Sequence, residues 1–168
     1  IHKMTFKKFV NMIFSKCGWL KKRFSRSQRI IQSYYQHKKR IPVCGCILLN
    51  SKMTKVLLVT DFKNKNHTFP RGKINAGEQQ FDCAIREVDE EIGNDVTRYA
   101  NSDDYFVISS GGRNVTMFIC ANVPETLDCK PRTKKEIQDI KWVDISNLTL
   151  IRTYDVEPFI EPLLAWIQ

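Results

Sequence analysis

The chain has 168 residues, of which 42% are hydrophobic and 27% charged, with a formal net charge of +9. That length can bury a sizeable core, and no apolar run approaches a membrane span or opens the chain as a signal peptide, so a membrane-spanning or secreted class is not expected. The charge is divided: 14 of the 27 Lys and Arg, and none of the 18 Asp and Glu, precede Asp61, so a polycationic arm joins a body of net negative charge.

The arm reads as helical. Phe6, Phe9, Val10, Ile13 and Phe14 recur at helical spacing up to a break near Cys17-Gly18. Trp19, beside that break, is a candidate for stacking on a base, with a core or hinge position as the alternative. Ser25 or Ser27 could cap a second helix carrying Ile30, Ile31, Tyr34 and Tyr35. The natural division is a basic helical segment over residues 1–40 and a larger domain over 41–168. In that domain Val43–Asn50 and Val56–Asp61 form an expected hairpin around Ser51-Lys52-Met53-Thr54. Phe81, Ala84, Ile85, Val88 and Ile92 form the apolar stripe of a helix. Tyr105–Ser110 and Val115–Val123 flank a turn at Gly111-Gly112-Arg113-Asn114, and Ile140–Ile145 is a further strand. A last helix begins near Pro158 and carries Phe159, Leu163, Leu164, Trp166 and Ile167, with Pro162 tolerated close to its start. The expected architecture is an α/β/α sandwich with a mixed sheet, preceded by a short helical segment. The six cysteines lie mostly inside apolar patterns without a CxxC pair, as buried free thiols of a reducing compartment do. His67, next to the loop that precedes the helix of Phe81 to Ile92, is a candidate ligand contact.

The chemistry concentrates in the central helix. Glu87, Glu90 and Glu91 fall on one arc of roughly 100° beside the apolar stripe. Carboxylates three and four residues apart repel and destabilise an isolated helix. No Lys lies within helical reach, and Arg86 can serve only Glu90 or Asp89. A hard divalent cation would relieve the repulsion, since magnesium takes oxygen ligands and bridges carboxylates to phosphates; a solvated acidic face is the bland alternative. Just before the helix, Thr68-Phe69-Pro70-Arg71-Gly72-Lys73 sets a glycine where backbone can approach a metal or phosphate, between two cations suited to a polyphosphate.

Gly72, Glu78, Arg86-Glu87-Val88, Glu90-Glu91 and Gly93 together resemble the Nudix box, at every position but the apolar residue after Gly93, here Asn94. The flanks narrow the resemblance. The runs Lys39–Asn50, Phe69–Asn75 and Asp82–Val88, the segment Pro131–Ile137, and Tyr154-Asp155-Val156-Glu157-Pro158-Phe159-Ile160 through Trp166 are similar to the catalytic subunits of eukaryotic mRNA-decapping complexes. The resemblance implies a Nudix fold and magnesium or manganese as cofactor. It implies metal binding by Glu87, Glu90, Glu91 and the Gly72 carbonyl, with Glu136 as general base or extra metal ligand. Glu78 and Arg86 would brace the loop against the helix, and Arg71 and Lys73 would meet substrate phosphate.

The implied activity is metal-dependent hydrolysis of the 5′ cap of RNA to 7-methylguanosine diphosphate and 5′-monophosphate RNA, in the cytoplasm, with capped RNA as partner and no membrane. Counterion release rewards clustered cations on RNA, which makes Lys21, Lys22, Arg23, Arg26, Lys130, Arg132, Lys134 and Lys135 the candidate RNA-binding residues. In the family, the last helix belongs to a basic RNA track; here it carries Glu157 and Glu161 and no Lys or Arg. The part of the family's regulatory domain that clamps the methylated base and binds an activator subunit has no counterpart in these residues, so neither role transfers to a named position. Two alternatives stand beside decapping: a Nudix hydrolase of small polyphosphates such as dinucleoside polyphosphates or diphosphoinositols, and a non-catalytic RNA-binding module on the same scaffold.

Overall fold

The computed structural model of the chain describes residues 4–63, 65–133, 136–151, 153 and 155–168. The chain divides into two compact units, Ile1–Ile41 and Pro42–Gln168. In the first, α1 (Phe6–Lys16) starts at Thr5, whose hydroxyl accepts the Lys8 N–H, and ends at Cys17. A four-residue α2 (Gly18–Lys21), a 3-10 turn (Phe24–Arg26) and α3 (Ser27–Arg40) follow. The expected serine cap is not formed. Arg26 occupies the position before α3 without a side-chain bond, and Ser27 is the first helical residue and buried. Trp19 is 78% exposed, so it does not serve as a core residue of this unit.

The second unit is built on β1 (Val43–Asn50), in which every residue is buried. Its side chains alternate. Val43, Ile47 and Leu49 enter a core closed by α5 (Glu157–Ile167) through Phe159 and Leu163. Cys44, Cys46 and Leu48 enter a second core closed by α4 (Gln80–Ile92) through Cys83, Ala84, Val88 and Ile92. A strand buried on both faces between two helices is the middle layer of a three-layer sandwich. β2 (Lys55–Asp61), β3 (His67–Thr68), β4 (Arg71–Lys73), β5 (Ala100–Ser110), β6 (Arg113–Val123) and β7 (Ile137–Asp144) complete a mixed sheet. Its path is β3-β2-β1-β6-β5, with β4 on β1 and β7 on β2. Among the described residues β1 and β6 pair in parallel, and the other pairs are antiparallel.

Several boundaries shift. β5 starts at Ala100 rather than Tyr105, with an irregularity in its pairing to β6 between those residues. β7 runs from Ile137 to Asp144, and Ile145 opens a 3-10 turn instead of closing the strand. The turn before β6 narrows to Gly111 and Gly112, both at positive φ, and Arg113 already belongs to the strand. α5 passes through Pro162 unbroken. All six cysteines are free, and Cys44, Cys46, Cys83 and Cys120 are buried in the α4-side core. Among the described residues no helix is long and apolar enough to cross a membrane.

Candidate active site

The box helix is held by its apolar stripe and stopped by Gly93, whose φ of 76° is the left-handed conformation that glycine adopts freely at a helix end. A Cβ there would run into the Lys130 carbonyl, because Lys130 N–H donates to Ile92 O at 2.8 Å and Arg132 N–H to Glu90 O at 2.9 Å. The segment bearing Lys130 and Arg132 is thus stitched to the end of α4. Asn94, which stands where the box has an apolar residue, donates to the Ile92 and Asp128 carbonyls and secures the same corner.

On the sheet side, β4 lies against β1 with Gly72 opposite Cys44, which brings its backbone under α4. Any side chain at Gly72 would occupy the place of the Glu87 carboxylate. Glycine is therefore required here for close approach of backbone to an acid, as its position in the loop predicts.

The acids of the helix divide into two groups. Arg86 donates to both Glu78 oxygens at 2.6 and 2.9 Å, to Glu87 at 2.7 Å and to Glu90 at 3.2 Å. This corrects the expectation that Arg86 could reach only Glu90 or Asp89: it joins Glu78, Glu87 and Glu90, while Asp89 pairs with Arg132 at 2.8 Å. The guanidinium also donates to the Lys73 carbonyl at 3.3 Å, tying loop to helix. Its hydrogen bonds hold the Glu78 carboxyl down at about 2, and the same bonds push Arg86 itself up. Glu91 stands apart. Its carboxylate accepts the Arg71 N–H at 3.0 Å, and burial pushes it up to about 8. Burial also raises Glu87, against the pull of Arg86.

Glu91 opens into a cleft of about 420 Å³ that also takes in Gly72, Lys73, Arg71 and Glu136. Glu136 reaches it from the start of β7, where its carbonyl accepts the Phe62 N–H at 2.9 Å. The structure therefore unites Glu91 and Glu136 in one cavity, although 45 positions separate them in the sequence. Asp61, Lys63, Asn66, Thr68, Arg113 and Asp155 line the same cleft and were not singled out from the sequence. Arg113 gives no local signal. It arrives because β6 runs parallel to β1 with Val115 beside Val43, and Val43 also faces Lys73 of β4. Arg71 is more constrained than its loop position suggests: its guanidinium is 2.7 Å from Asp155, which offsets a burial that lowers its pKa.

Other candidates lie elsewhere. His67 sets Nδ1 2.8 Å from Thr60 Oγ1 and Nε2 3.3 Å from Lys141 Nζ, so its ring is committed to β2 and β7 rather than to the cleft. Lys130 pairs with Asp128 at 2.5 Å, and Arg132 borders a second cavity beside α4. Lys134 and Lys135 lie outside the described residues. Lys21, Lys22, Arg23 and Arg26 are all exposed in the first unit, whose sequence has no Asp or Glu.

Among the described residues no three His, Cys, Asp or Glu side chains converge on one point as a metal ion requires, and Glu87 and Glu90 are paired with Arg86. The donor set nevertheless fits a hard cation. It is all oxygen, and Glu87 and Glu91 are raised by a burial that a bound cation would offset.

A three-layer sandwich whose acidic helix packs on a glycine-bearing loop beside a cleft of acids and cations defines a Nudix class of site. The pattern of the NUDIX domain matches residues 39–167, and the chain belongs to that family. It is 33% identical over 168 residues to the m7GpppN-mRNA hydrolase of Saccharomyces cerevisiae, covering 96% of this chain and 17% of that protein. It is 32% identical over 176 residues to mRNA-decapping enzyme subunit 2 of Arabidopsis thaliana, covering 98% of this chain and 47% of that one. The chain thus spans less than half the length of these relatives. Among solved structures it resembles the Nudix domain of Shewanella oneidensis NrtR complexed with ADP ribose, with a TM-score of 0.63 and 16% identity, covering 77% of this chain and 89% of that one. A Caenorhabditis elegans Ap4A hydrolase is similar at a TM-score of 0.60 and 18% identity, covering 76% and 96%. These two likenesses establish the fold.

Proposed function

We propose that the chain is an mRNA-decapping hydrolase, which cleaves the 5′ cap to 7-methylguanosine diphosphate and 5′-monophosphate RNA in the cytoplasm. The observation that carries this reading is the identity with decapping enzymes over nearly the whole chain, box and flanks together. The cleft supports it by pairing acids with cations, as hydrolysis of a polyphosphate demands.

Nudix hydrolases in general use divalent metal ions, and here magnesium or manganese would be held by Glu87, Glu90, Glu91 and the Gly72 carbonyl, with Glu136 close by. When bound, the ion neutralises the polyphosphate and stabilises charge developing on the leaving phosphate. The chain supplies the rest. Glu136 takes a proton from a water molecule as the water oxygen bonds to a cap phosphorus, and the bond from that phosphorus to the bridging oxygen breaks, so that this oxygen leaves on the 5′-phosphate of the RNA. Lys63, Lys73 and Arg113 line the cleft where phosphate oxygens would lie. Arg71, fixed by Asp155, presents its backbone N–H to Glu91 and keeps that carboxylate oriented. Arg86 and Glu78 brace the loop on the helix. The RNA body would follow Lys21, Lys22, Arg23 and Arg26, with Lys130, Arg132, Lys134 and Lys135 as further partners for its phosphates.

The test offers cap-labelled RNA, free cap dinucleotide, nucleotide sugars and diphosphoinositols to the protein with magnesium, with manganese and with chelator. Metal-dependent release of labelled 7-methylguanosine diphosphate from RNA, faster than turnover of the other compounds, is the expected result. Preferential cleavage of diphosphoinositol or nucleotide sugar would replace decapping by a small-molecule activity, and binding without turnover of any compound would leave only an RNA-binding module.

A further inference from the structure

Among the exposed aromatic side chains of the first unit Trp19 stands out at 78%, and Phe24, five residues on, is the exposed ring next along the chain. An exposed Trp presents a large, flat apolar face that gains from being covered. Backbone hydrogen bonds fix the segment in tight turns: Leu20 N–H and Lys21 N–H donate to the Cys17 carbonyl, Arg23 N–H to Leu20, and Arg26 N–H to Arg23. Leu20 is partly buried while its neighbour Trp19 is exposed. Around the two rings in the chain stand Lys16, Lys21, Lys22, Arg23 and Arg26, all exposed, in a unit that has no Asp or Glu.

We propose that Trp19 is a stacking platform for unpaired bases of single-stranded RNA, with Phe24 as a second exposed ring, in the cationic stretch from Lys16 to Arg26 that meets the backbone. The occupant follows from charge and shape together. An acid-free run of exposed cations selects a polyanion, and exposed rings interleaved with them along the chain select one that carries flat bases. The proposal rests on the RNA-directed reading above, but its site lies outside the cleft and its test measures binding alone. Stacking contributes affinity that does not depend on base identity or salt, whereas the cations contribute the salt-dependent part.

The experiment measures binding of the full chain to a fluorescent single-stranded uridine oligomer and to an abasic oligomer of equal length and charge, over a range of salt. The unaltered protein should prefer the uridine oligomer. Trp19→Ala should weaken uridine binding roughly 5- to 100-fold, keep the salt slope, and abolish the preference over the abasic chain. Trp19→Phe should retain much of the preference. Since Trp19 is exposed, its removal leaves the fold intact, which circular dichroism checks. Equal preference in Trp19→Ala and the unaltered protein would overturn the proposal. So would a Trp19-dependent association with phosphatidylserine vesicles coupled to Trp19-independent RNA binding, which would assign the ring to a membrane surface. Release of 7-methylguanosine diphosphate by the unaltered protein is scored separately: its failure would remove the decapping reading while leaving the base preference intact.

Discussion

The two units treat apolar residues in opposite ways. In Pro42–Gln168, β1 is buried on both faces and the helices α4 and α5 each close a core. In Ile1–Ile41 only Ser27 and Ile31 are buried among the described residues, while Phe6, Phe9, Met12, Trp19, Phe24, Tyr34 and Tyr35 stay exposed. Phe6, Tyr34 and Tyr35 pack ring on ring, with centroids 5.1–5.9 Å apart, without being covered. The charges divide the same way: every Asp and Glu belongs to the second unit. One unit is organised around its own interior and an anionic site; the other offers cations and rings outward. The difference teaches that amphipathic spacing alone does not reveal what covers the apolar face.

The largest effect that separates the units is on turnover. Glu91→Gln and Glu90→Gln should each lower the catalytic rate on the order of a thousandfold while leaving the first unit's RNA binding unchanged, since a bound cation supplies several kcal/mol of charge stabilisation. Near-normal rates in saturating manganese for either variant would remove it from the metal set. Next in size, Glu136→Gln should reduce the rate roughly a hundredfold with little change in RNA affinity. A deficit confined to affinity would make Glu136 part of the binding surface instead.

A smaller effect concerns stability without metal. Glu91 is raised from the ordinary carboxylate range to about 8 by burial, and Glu87 is raised in the same direction. The folded protein therefore holds more protons than the unfolded chain between about pH 4.3 and 8. Stability should be fullest below that window and fall, on the order of a few kcal/mol, as pH rises through it. Glu78 is depressed and acts in the opposite sense, but only below the ordinary carboxylate range. Urea denaturation in chelator from pH 5 to pH 8 checks this. Glu91→Gln should flatten the profile and be the more stable protein at pH 8; an unchanged profile would show that Glu91 is solvated.

The smallest effect belongs to the arm. Charge reversal at Lys21, Lys22, Arg23 and Arg26 should flatten the salt dependence of RNA binding by about 0.7 in log–log slope for each phosphate that is no longer neutralised. Hydrolysis of the short cap dinucleotide, which offers no RNA body, is the companion measurement and should fall far less than capped-RNA binding. An unchanged slope would give the arm another partner.

Much of the second unit was legible because its patterns are strong. The stripe from Phe81 to Ile92 and the apolar run of Val43–Asn50 each state an element and a buried face. β3 and β4 were not legible, being two and three residues long, too short to show a period. The start of β5 was hidden because Asn101, Ser102, Asp103 and Asp104 are poor strand formers. At the site, Gly72 and the helix acids announce themselves by spacing. Arg113, Lys63 and Asp155 do not, because they reach the cleft through strand pairing and turns that no local pattern encodes. The reach of Arg86 to Glu87 was missed because adjacent residues on a helix do not face each other; the guanidinium gets there by a long side chain that also spans to Glu78.

The parallel pairing of β1 with β6 has a consequence in time. Val43 meets Val115, so the middle of the sheet waits for a strand that leaves the ribosome long after β1 does. By then α4, complete at Ile92, has emerged with all its glutamates, whereas Arg113, Glu136 and Asp155 are still to come. During that interval the cleft lacks Arg113, Glu136 and Asp155, whereas Arg86 and its three carboxylate partners Glu78, Glu87 and Glu90 are already made. On that order of synthesis the residues of the internal brace are made before the rest of the cleft is. A variant that weakens the brace should show its defect first in the yield of folded protein made during synthesis, ahead of any loss in the protein that succeeds in folding.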